Sequence, residues 1–460
     1  MKTAVIALVG MAGLAGAALA HGPDDERVHV CWPGEDGVFT GTVLRMPLEP
    51  GVMEMQRRAR QPGDNRVDIV FVGDGYTADE QDQFHADVAF TAQRLFEFEP
   101  YIAYEPYFRV HAVEVISNES GVDNDPVDGI EKDTALDMRY WCLGVQRGLC
   151  VSVYKAYLHA ELAPAVDQVI ALANSATYGG AGYGTSNLAT CAGQNFQSPD
   201  VILHELGHSL GELADEYTTG GPTTWTDPEP PRPNASIFEA EDMAAMQVKW
   251  YRWLGYRDPR FNSTVGTIEG SYLSQYGIYR PSNRSMMRES GKKMNAPGAE
   301  QVIFRIYDHV DPVDAHTPNG APVAPDAVLS VTPMQPVGHA LSVSWDVDGV
   351  AVSPGGEAAT LSLAGLGVGR GATVTATVVD PTDMVRDEAV RAELLTQRVS
   401  WVVGGCPGDF DLSGTVNLDD VDAFVAAFLA GDAAADVDAS GTLNVDDIDV
   451  FVASFVAGCP

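Results

Sequence analysis

The stretch His204-Glu205-Leu206-Gly207-His208 restricts what this chain can fold into more than any other, because its chemistry requires a regular helix. Two histidines four positions apart stand on one helical face, about 6 Å apart along the axis, so both imidazoles can bind a single Zn²⁺. Glu205 then reaches the water on that metal. Zinc lowers the pKa of such a water towards about 7, and the carboxylate takes its proton and later passes it to the leaving group. The pattern points to metal-assisted hydrolysis of peptide bonds, with zinc as cofactor, His204 and His208 as ligands and Glu205 as catalytic base.

The flank Ser198-Pro199-Asp200-Val201-Ile202-Leu203 reads as an N-cap serine, a proline at the first helical position and an acidic first turn, so the motif opens a helix. A third protein ligand must come from beyond it. A continuing helix would return Asp215 to the same face but about 10 Å further along the axis than His208, too far for a bond of about 2 Å. The helix is therefore expected to break. Gly211 is placed to take a left-handed turn that folds the chain back and brings Asp215, or alternatively Glu216, to the metal. Glu212 would lie about 6 Å beyond His208 and face away.

Residues 1–20 carry one lysine, an apolar run and an Ala18-Leu19-Ala20 end, the pattern of a secretory signal peptide cut after Ala20. No later segment is apolar enough to span a bilayer, so the expectation is a secreted, extracellular or cell-surface-associated protein without a transmembrane segment after signal removal. Sixty-four acidic residues against 28 basic ones, a formal charge of −36, argue against nucleic acid as a partner. Behind an export signal, the six cysteines read as three disulfides: Cys142 with Cys150, Cys406 with Cys459, and by elimination Cys31 with Cys191.

The length of 460 residues suggests two to four domains. A polar, proline-bearing lead-in over residues 21–61 precedes the apolar run Val67-Asp68-Ile69-Val70-Phe71-Val72, a buried strand ending in the tight turn Gly73-Asp74-Gly75-Tyr76. Thr77-Ala78-Asp79-Glu80 is a capping box, and Phe84, Val88, Thr91, Leu95 and Phe96 follow near the helical period. Strands are also expected over Phe108–Val115 and Asp167–Ala173, which makes a mixed α/β core. His85 and His111 stand outside any spaced cluster and read as structural or surface residues. Residues 219–236, rich in Pro, Thr and Gly, form a loop suited to border a substrate cleft. The turn Tyr279-Arg280-Pro281-Ser282-Asn283-Arg284-Ser285-Met286-Met287-Arg288 carries two methionines that composition alone assigns to core filling.

Taken in order, Asp68-Ile69-Val70-Phe71-Val72-Gly73-Asp74-Gly75-Tyr76, Ser117-Asn118-Glu119-Ser120-Gly121-Val122-Asp123, His204-Glu205-Leu206-Gly207-His208, Leu213-Ala214-Asp215-Glu216-Tyr217, Tyr279-Arg280-Pro281 and Ser285-Met286-Met287 resemble the IgA-specific metallo-endopeptidase family over residues 62–318. The resemblance implies an α/β (α+β) zincin-type catalytic domain of the metzincin kind, with a mixed sheet, an active-site helix and a methionine turn built on Met286 or Met287. It implies a zinc endopeptidase acting on a protein or peptide. The metzincin pattern would place a third histidine at position 214, where this chain has Ala214.

From residue 321 to 403 alternating runs such as Leu341-Ser342-Val343-Ser344-Trp345 and Ala372-Thr373-Val374-Thr375-Ala376-Thr377-Val378 predict an all-β immunoglobulin-like sandwich, serving as a spacer or exosite. Residues 406–460 contain a repeat with EF-hand loop spacing: Asp409, Asp411, Ser413, Thr415, Asn417 and Asp420 in loop one, and Asp436, Asp438, Ser440, Thr442, Asn444 and Asp447 in loop two. Calcium is the expected second cofactor. Each loop runs into an apolar helix, giving a small all-α module that resembles dockerins, whose paired calcium loops dock onto cohesins. The resemblance implies a cohesin-like or cell-surface partner, although the apolar helices lack the polar recognition residues of that partnership. A different reading of the whole chain is an inactive surface adhesion or scaffold protein built on a peptidase fold, but an intact Glu205 favours the enzyme.

Overall fold

A computed structural model describes residues 25–59, 64–219, 221–261, 263–320, 322–352, 359–369, 371–411, 413, 415–438, 440 and 442–458. The signal-peptide expectation, Cys459 and the loop glycines Gly414 and Gly441 lie outside the described residues. Among the described residues, a seven-stranded sheet is formed by β1 (Asp25–Pro33), β2 (Phe39–Pro47), β3 (Val67–Asp74), β4 (Phe108–Val113), β5 (Gln168–Ala173), β6 (Gly180–Tyr183) and β7 (Leu188–Ala192). Its order is β2-β1-β6-β7-β5-β3-β4. Strands β4, β3, β5 and β7 run parallel, whereas β6, β1 and β2 each pair antiparallel with their neighbours.

The apolar runs read as strands are buried on both faces. In β3, Val67, Ile69 and Phe71 enter one core while Val70 and Val72 enter the other. Helices α1 (Val52–Ala59) and α3 (Val153–Ala160) contribute residues to the second core, and α2 (Gln81–Leu95), α4 (Ser198–Ser209) and, further on, α6 (Ala296–Tyr307) to the first. Between these last two lie the short α5 (Ala240–Met246) and the hairpin β8 (Ile268–Ser271) and β9 (Ser274–Arg280). At the end of β3, buried Asp74 accepts from the amides of Leu136 and Met138 at 2.8 and 2.7 Å and from the Thr134 hydroxyl at 2.9 Å. Gly75 has φ +74° and so little room that a Cβ would overlap the Gly121 carbonyl. Two sequence motifs well apart in the chain thus meet at the end of one strand. His111 pairs with Asp68 at 2.6 Å and His85 with Glu114 at 2.9 Å, both away from the histidine helix motif.

The described part of the lead-in, residues 25–59, packs into the domain expected from residue 62 onward. Its strands β1 and β2 belong to the central sheet, and Val28 and Val30 share a core with Val52 and Met55. The cysteine pairing changes with it. Cys142 and Cys150 are bonded, but Cys31 and Cys191 are free and buried. Cys31 lies on β1 and Cys191 on β7, with β6 between them. Two strand spacings separate their backbones by about 10 Å, beyond the reach of a disulfide.

Downstream, β10 (Val313–His316), β11 (Val328–Pro333) and β14 (Thr360–Ser362) form one antiparallel sheet. A second consists of β12 (Ser342–Val347), β13 (Val350–Ala351), β15 (Thr373–Val379) and β16 (Thr396–Val402). The two share a core that includes Leu329, Val331, Val343, Trp345, Val374 and Trp401. This unit is tied to the part built on the seven-stranded sheet by Asp380, which accepts from the hydroxyls of Tyr104 and Tyr307 at 2.6 and 2.7 Å and from His339 at 2.8 Å. The helix α7 (Glu388–Leu394) precedes β16. The last helices, α8 (Leu418–Ala430) and α9 (Val445–Ala457), start at caps Asn417 and Asn444, with Asp420 and Asp447 completing capping boxes. Phe424 and Phe451, equivalent residues of the repeat, stack with centroids 4.1 Å apart and planes 1° from parallel. No described helix is long and apolar enough to cross a membrane.

Candidate metal centre

Helix α4 carries Pro199 in its first turn, and Asp200 there pairs with Arg94 at 3.1 Å. It presents His204 and Glu205 to the interior, 0% and 1% exposed. Each histidine is oriented through its Nδ1. That of His204 donates to the Met286 carbonyl at 3.0 Å, and that of His208 to the Leu213 carbonyl at 2.7 Å. A carbonyl can only accept, so the proton sits on Nδ1 and each Nε2 keeps its lone pair for a metal. The two Nε2 atoms lie 3.1 Å apart, and Asp215 Oδ1 lies 3.1 Å from one and 3.2 Å from the other. Three atoms bound at about 2.0–2.1 Å along tetrahedral directions would be about 3.3 Å apart, so this triangle fits a zinc ion. Burial alone would raise the Asp215 carboxyl, but the imidazoles packed around it outweigh burial and hold it well below the usual range. It is therefore in the form that a metal requires.

The chain reaches Asp215 by a route different from the expected one. Helical bonding ends with the Leu210 and Gly211 amides donating to the Leu206 carbonyl, and the Leu213 amide to that of Gly207. The residue with positive φ is Glu212, at 52°, and not Gly211. Gly211 is needed for space: a Cβ there would lie 2.8 Å from the Gly207 oxygen and 3.1 Å from Val302. Asn234 then clamps the next turn, accepting from the Ala214 amide at 2.7 Å and donating to its carbonyl at 2.9 Å. Asn234 was not legible, since the composition of its loop signals only an irregular segment rich in Pro, Thr and Gly.

Glu216, the alternative third ligand, is not brought to the histidines. Its carboxylate accepts from Asn234 at 3.0 Å, Asn295 at 2.8 Å and Ser285 at 2.6 Å, and its amide donates to the Met287 carbonyl at 2.8 Å. It fastens the segment carrying Asp215 to the methionine turn. The two methionines divide the work: Met286 supplies the carbonyl that orients His204, and the Met287 sulfur fills the space over Gly207, where a Cβ would overlap it.

Glu205 Oε2 is buried without a hydrogen-bond partner. Gly182 of β6 leaves room for it, since a Cβ at that position would overlap Oε2. Two further side chains, both from β1, face the centre and were not anticipated. Cys31 Sγ is 3.7 Å from Glu205 Oε1, and His29 Nδ1 is 3.6 Å from Asp215 Oδ2. Their signal was present only as alternation, with Arg27, His29 and Cys31 on one face of β1 and Val28 and Val30 on the other. A cleft of about 1050 Å³ opens beside His208 and Asp215, with Trp225 to Arg232 along one side and Arg27, His29 and Arg45 among its other lining residues. The loop 219–236 thus borders it.

In the C-terminal loops, carboxylate oxygens of Asp409, Asp411 and Asp420, and of Asp436, Asp438 and Asp447, lie within 4.8 Å of one another in each set. The Ser413 and Thr415 hydroxyls stand 3.1 Å apart, those of Ser440 and Thr442 3.3 Å apart. Asn417 and Asn444 instead turn their oxygens to the amides of Asp419 and Asp446, each at 2.7 Å, as helix caps.

Residues 58–260 match the family model described as IgA Peptidase M64. The matched stretch contains His204, Glu205, His208 and Asp215 and stops before the methionine turn. The match supports a metallopeptidase, a hydrolase of protein substrates with a bound metal. No curated protein matches the chain.

Proposed function

We propose that this protein is an exported zinc endopeptidase in which His204, His208 and Asp215 hold the metal and Glu205 is the general base. The observation that carries this reading is the triangle of Nε2, Nε2 and Oδ1 atoms with sides of 3.1, 3.1 and 3.2 Å. A zinc ion held there supplies Lewis acidity, which makes water nucleophilic near neutral pH and polarises the scissile carbonyl. The Glu205 carboxylate takes the proton of the attacking water and delivers it to the departing amine. Met286 and Leu213 hold the imidazoles in place, and the cleft beside Asp215 receives the polypeptide.

The downstream unit with its two antiparallel sheets is an immunoglobulin-like spacer or exosite in this reading. The C-terminal module binds two calcium ions through the converging aspartates, and a cohesin-like or cell-surface partner would use it to retain the enzyme.

Glu205→Gln should keep zinc while lowering turnover by several orders of magnitude, since ligation is untouched and proton transfer is lost. Near-normal activity in the zinc-loaded variant would overturn the assignment. His204→Ala should instead lose the metal, as elemental analysis will register. Digestion of a peptide library with and without a zinc chelator tests the activity itself and reads out the cleavage preference.

A further inference from the structure

The cleft beside the metal centre gathers arginines in a chain that is strongly acidic. Arg27 and His29 of β1 and Val43 and Arg45 of β2 line it, with Arg232 in the loop along its other side. In the strand register Arg27 lies directly opposite Arg45, as His29 lies opposite Val43. Residues so placed share a face of the sheet, and two like charges directly opposite one another destabilise the pair. With 64 acidic residues against 28 basic ones, carboxylates that could relieve this are plentiful. Yet Arg45 and Arg232 form no ion pair with any described residue; Arg232 Nη1 donates only to the Glu212 carbonyl, at 3.1 Å. The acidic residues of the cleft are engaged elsewhere or stand apart. Asp215 faces the histidines, Glu212 pairs with Arg305 at 2.8 Å, Glu229 pairs with Lys249 at 3.3 Å, and Asp227 is exposed.

Distance from the metal fixes which part of a substrate these arginines meet. His29 stands against the centre, its ring centroid 4.5 Å from that of His208. Arg27 follows on the same face of β1 after a rise of about 7 Å, and an extended substrate advances at the same rate per residue. We propose that the cleft selects polypeptides with an acidic side chain about two residues from the scissile bond, with Arg27, Arg45 and Arg232 as the carboxylate-binding residues. This deepens the zinc endopeptidase reading of the same site and rests on it. A guanidinium suits the task because its planar fork of N–H donors matches a carboxylate and its charge persists at any working pH. The negative charge carried by the rest of the molecule is screened over about 8 Å at physiological salt. An acidic segment inside the cleft therefore meets the arginines and not the surface at large.

The test is digestion of a peptide library by the full mature chain loaded with zinc. The peptides are acetylated at the N-terminus and amidated at the C-terminus, with Glu, Gln and Lys in equal amounts at each varied position. Cleaved products should favour Glu over Gln by about tenfold at one position about two residues from the cut. Arg232→Gln should bring that ratio down towards one, and Arg45→Glu should invert the choice so that Lys exceeds Gln there. Chelator-sensitive cleavage that uses Glu and Gln equally at every position would overturn the inference and leave the zinc reading intact, as would an unchanged ratio in the folded Arg45→Glu variant. Cleavage confined to the same library with free C-termini would assign the arginines to the chain terminus and overturn selection of a side chain. No zinc-dependent cleavage of either library would overturn both readings. The wild-type ratio decides the first point even if a variant does not fold.

Discussion

Asp215 and Glu216 are adjacent carboxylates with opposite surroundings, and the difference is open to measurement. Asp215 meets two imidazole nitrogens, whereas Glu216 meets two asparagine amides and a serine hydroxyl. Asp215→Ala should weaken zinc binding by far more than the 10- to 100-fold typical of a residue that only orients a ligand. Glu216→Ala should keep zinc affinity nearer to wild type but lower stability by about 2–4 kcal/mol, because it strands buried donors. Zinc titration and thermal melting of the two variants separate the roles. At this scale the legible residues were those whose partners are near in sequence: His204, Glu205 and His208 share one helix, and Asp215 follows within a turn. Cys31 and His29 were not legible. They reach the centre across a sheet, and elimination among six cysteines paired Cys31 with a residue two strands away. Gly211 was read for its backbone freedom when its use is the absence of a side chain.

Helix α4 works only with the turn beneath it. Gly207 lets the Met287 sulfur approach, and the neighbouring Met286 carbonyl aims His204. Gly207→Ala should therefore cost about 1–3 kcal/mol through overpacking and loosen zinc binding as well, whereas a gain in stability from better helix propensity would show that the turn yields freely. Melting curves and zinc affinity of that one variant settle which effect wins. Elements with a single dominant signal were legible. Strands β3 and β5 are continuous apolar runs because both faces are buried, and α4 begins within a residue of its predicted cap. The β1–β2 hairpin was hidden, since one face of β1 carries Arg27, His29 and Cys31, which are polar for the sake of the site and look like surface in a sequence. The short β6, four residues of glycine, alanine and tyrosine, has no propensity signal and owes its existence to its neighbours.

Across the whole molecule, Asp380 is the fastening between the catalytic part and the downstream sheets. Burial alone would raise its carboxyl, but hydrogen bonds from His339, Tyr104 and Tyr307 hold it below the usual range. A carboxyl depressed on folding contributes stability that is fully present above its unfolded value of about 3.9 and is lost as pH falls through the folded value. Asp380→Asn should thus destabilise the protein by about 2–4 kcal/mol at pH 7, and the gap from wild type should narrow below about pH 4. Melting both proteins across that range tests the sign. The C-terminal module should likewise lose helical circular dichroism when a chelator removes calcium, because its clustered aspartates then repel one another over a small core. Its core is centred on the parallel pair of Phe424 and Phe451. Each ring leans on the other repeat as well as on its own, so the two loops share one core. If the module binds calcium as proposed, the first ion should help to order the far loop as well, and calcium titration should be cooperative, with a Hill coefficient approaching about 2. Asp447→Ala, which removes one carboxylate from loop two, would by the same coupling weaken binding at loop one.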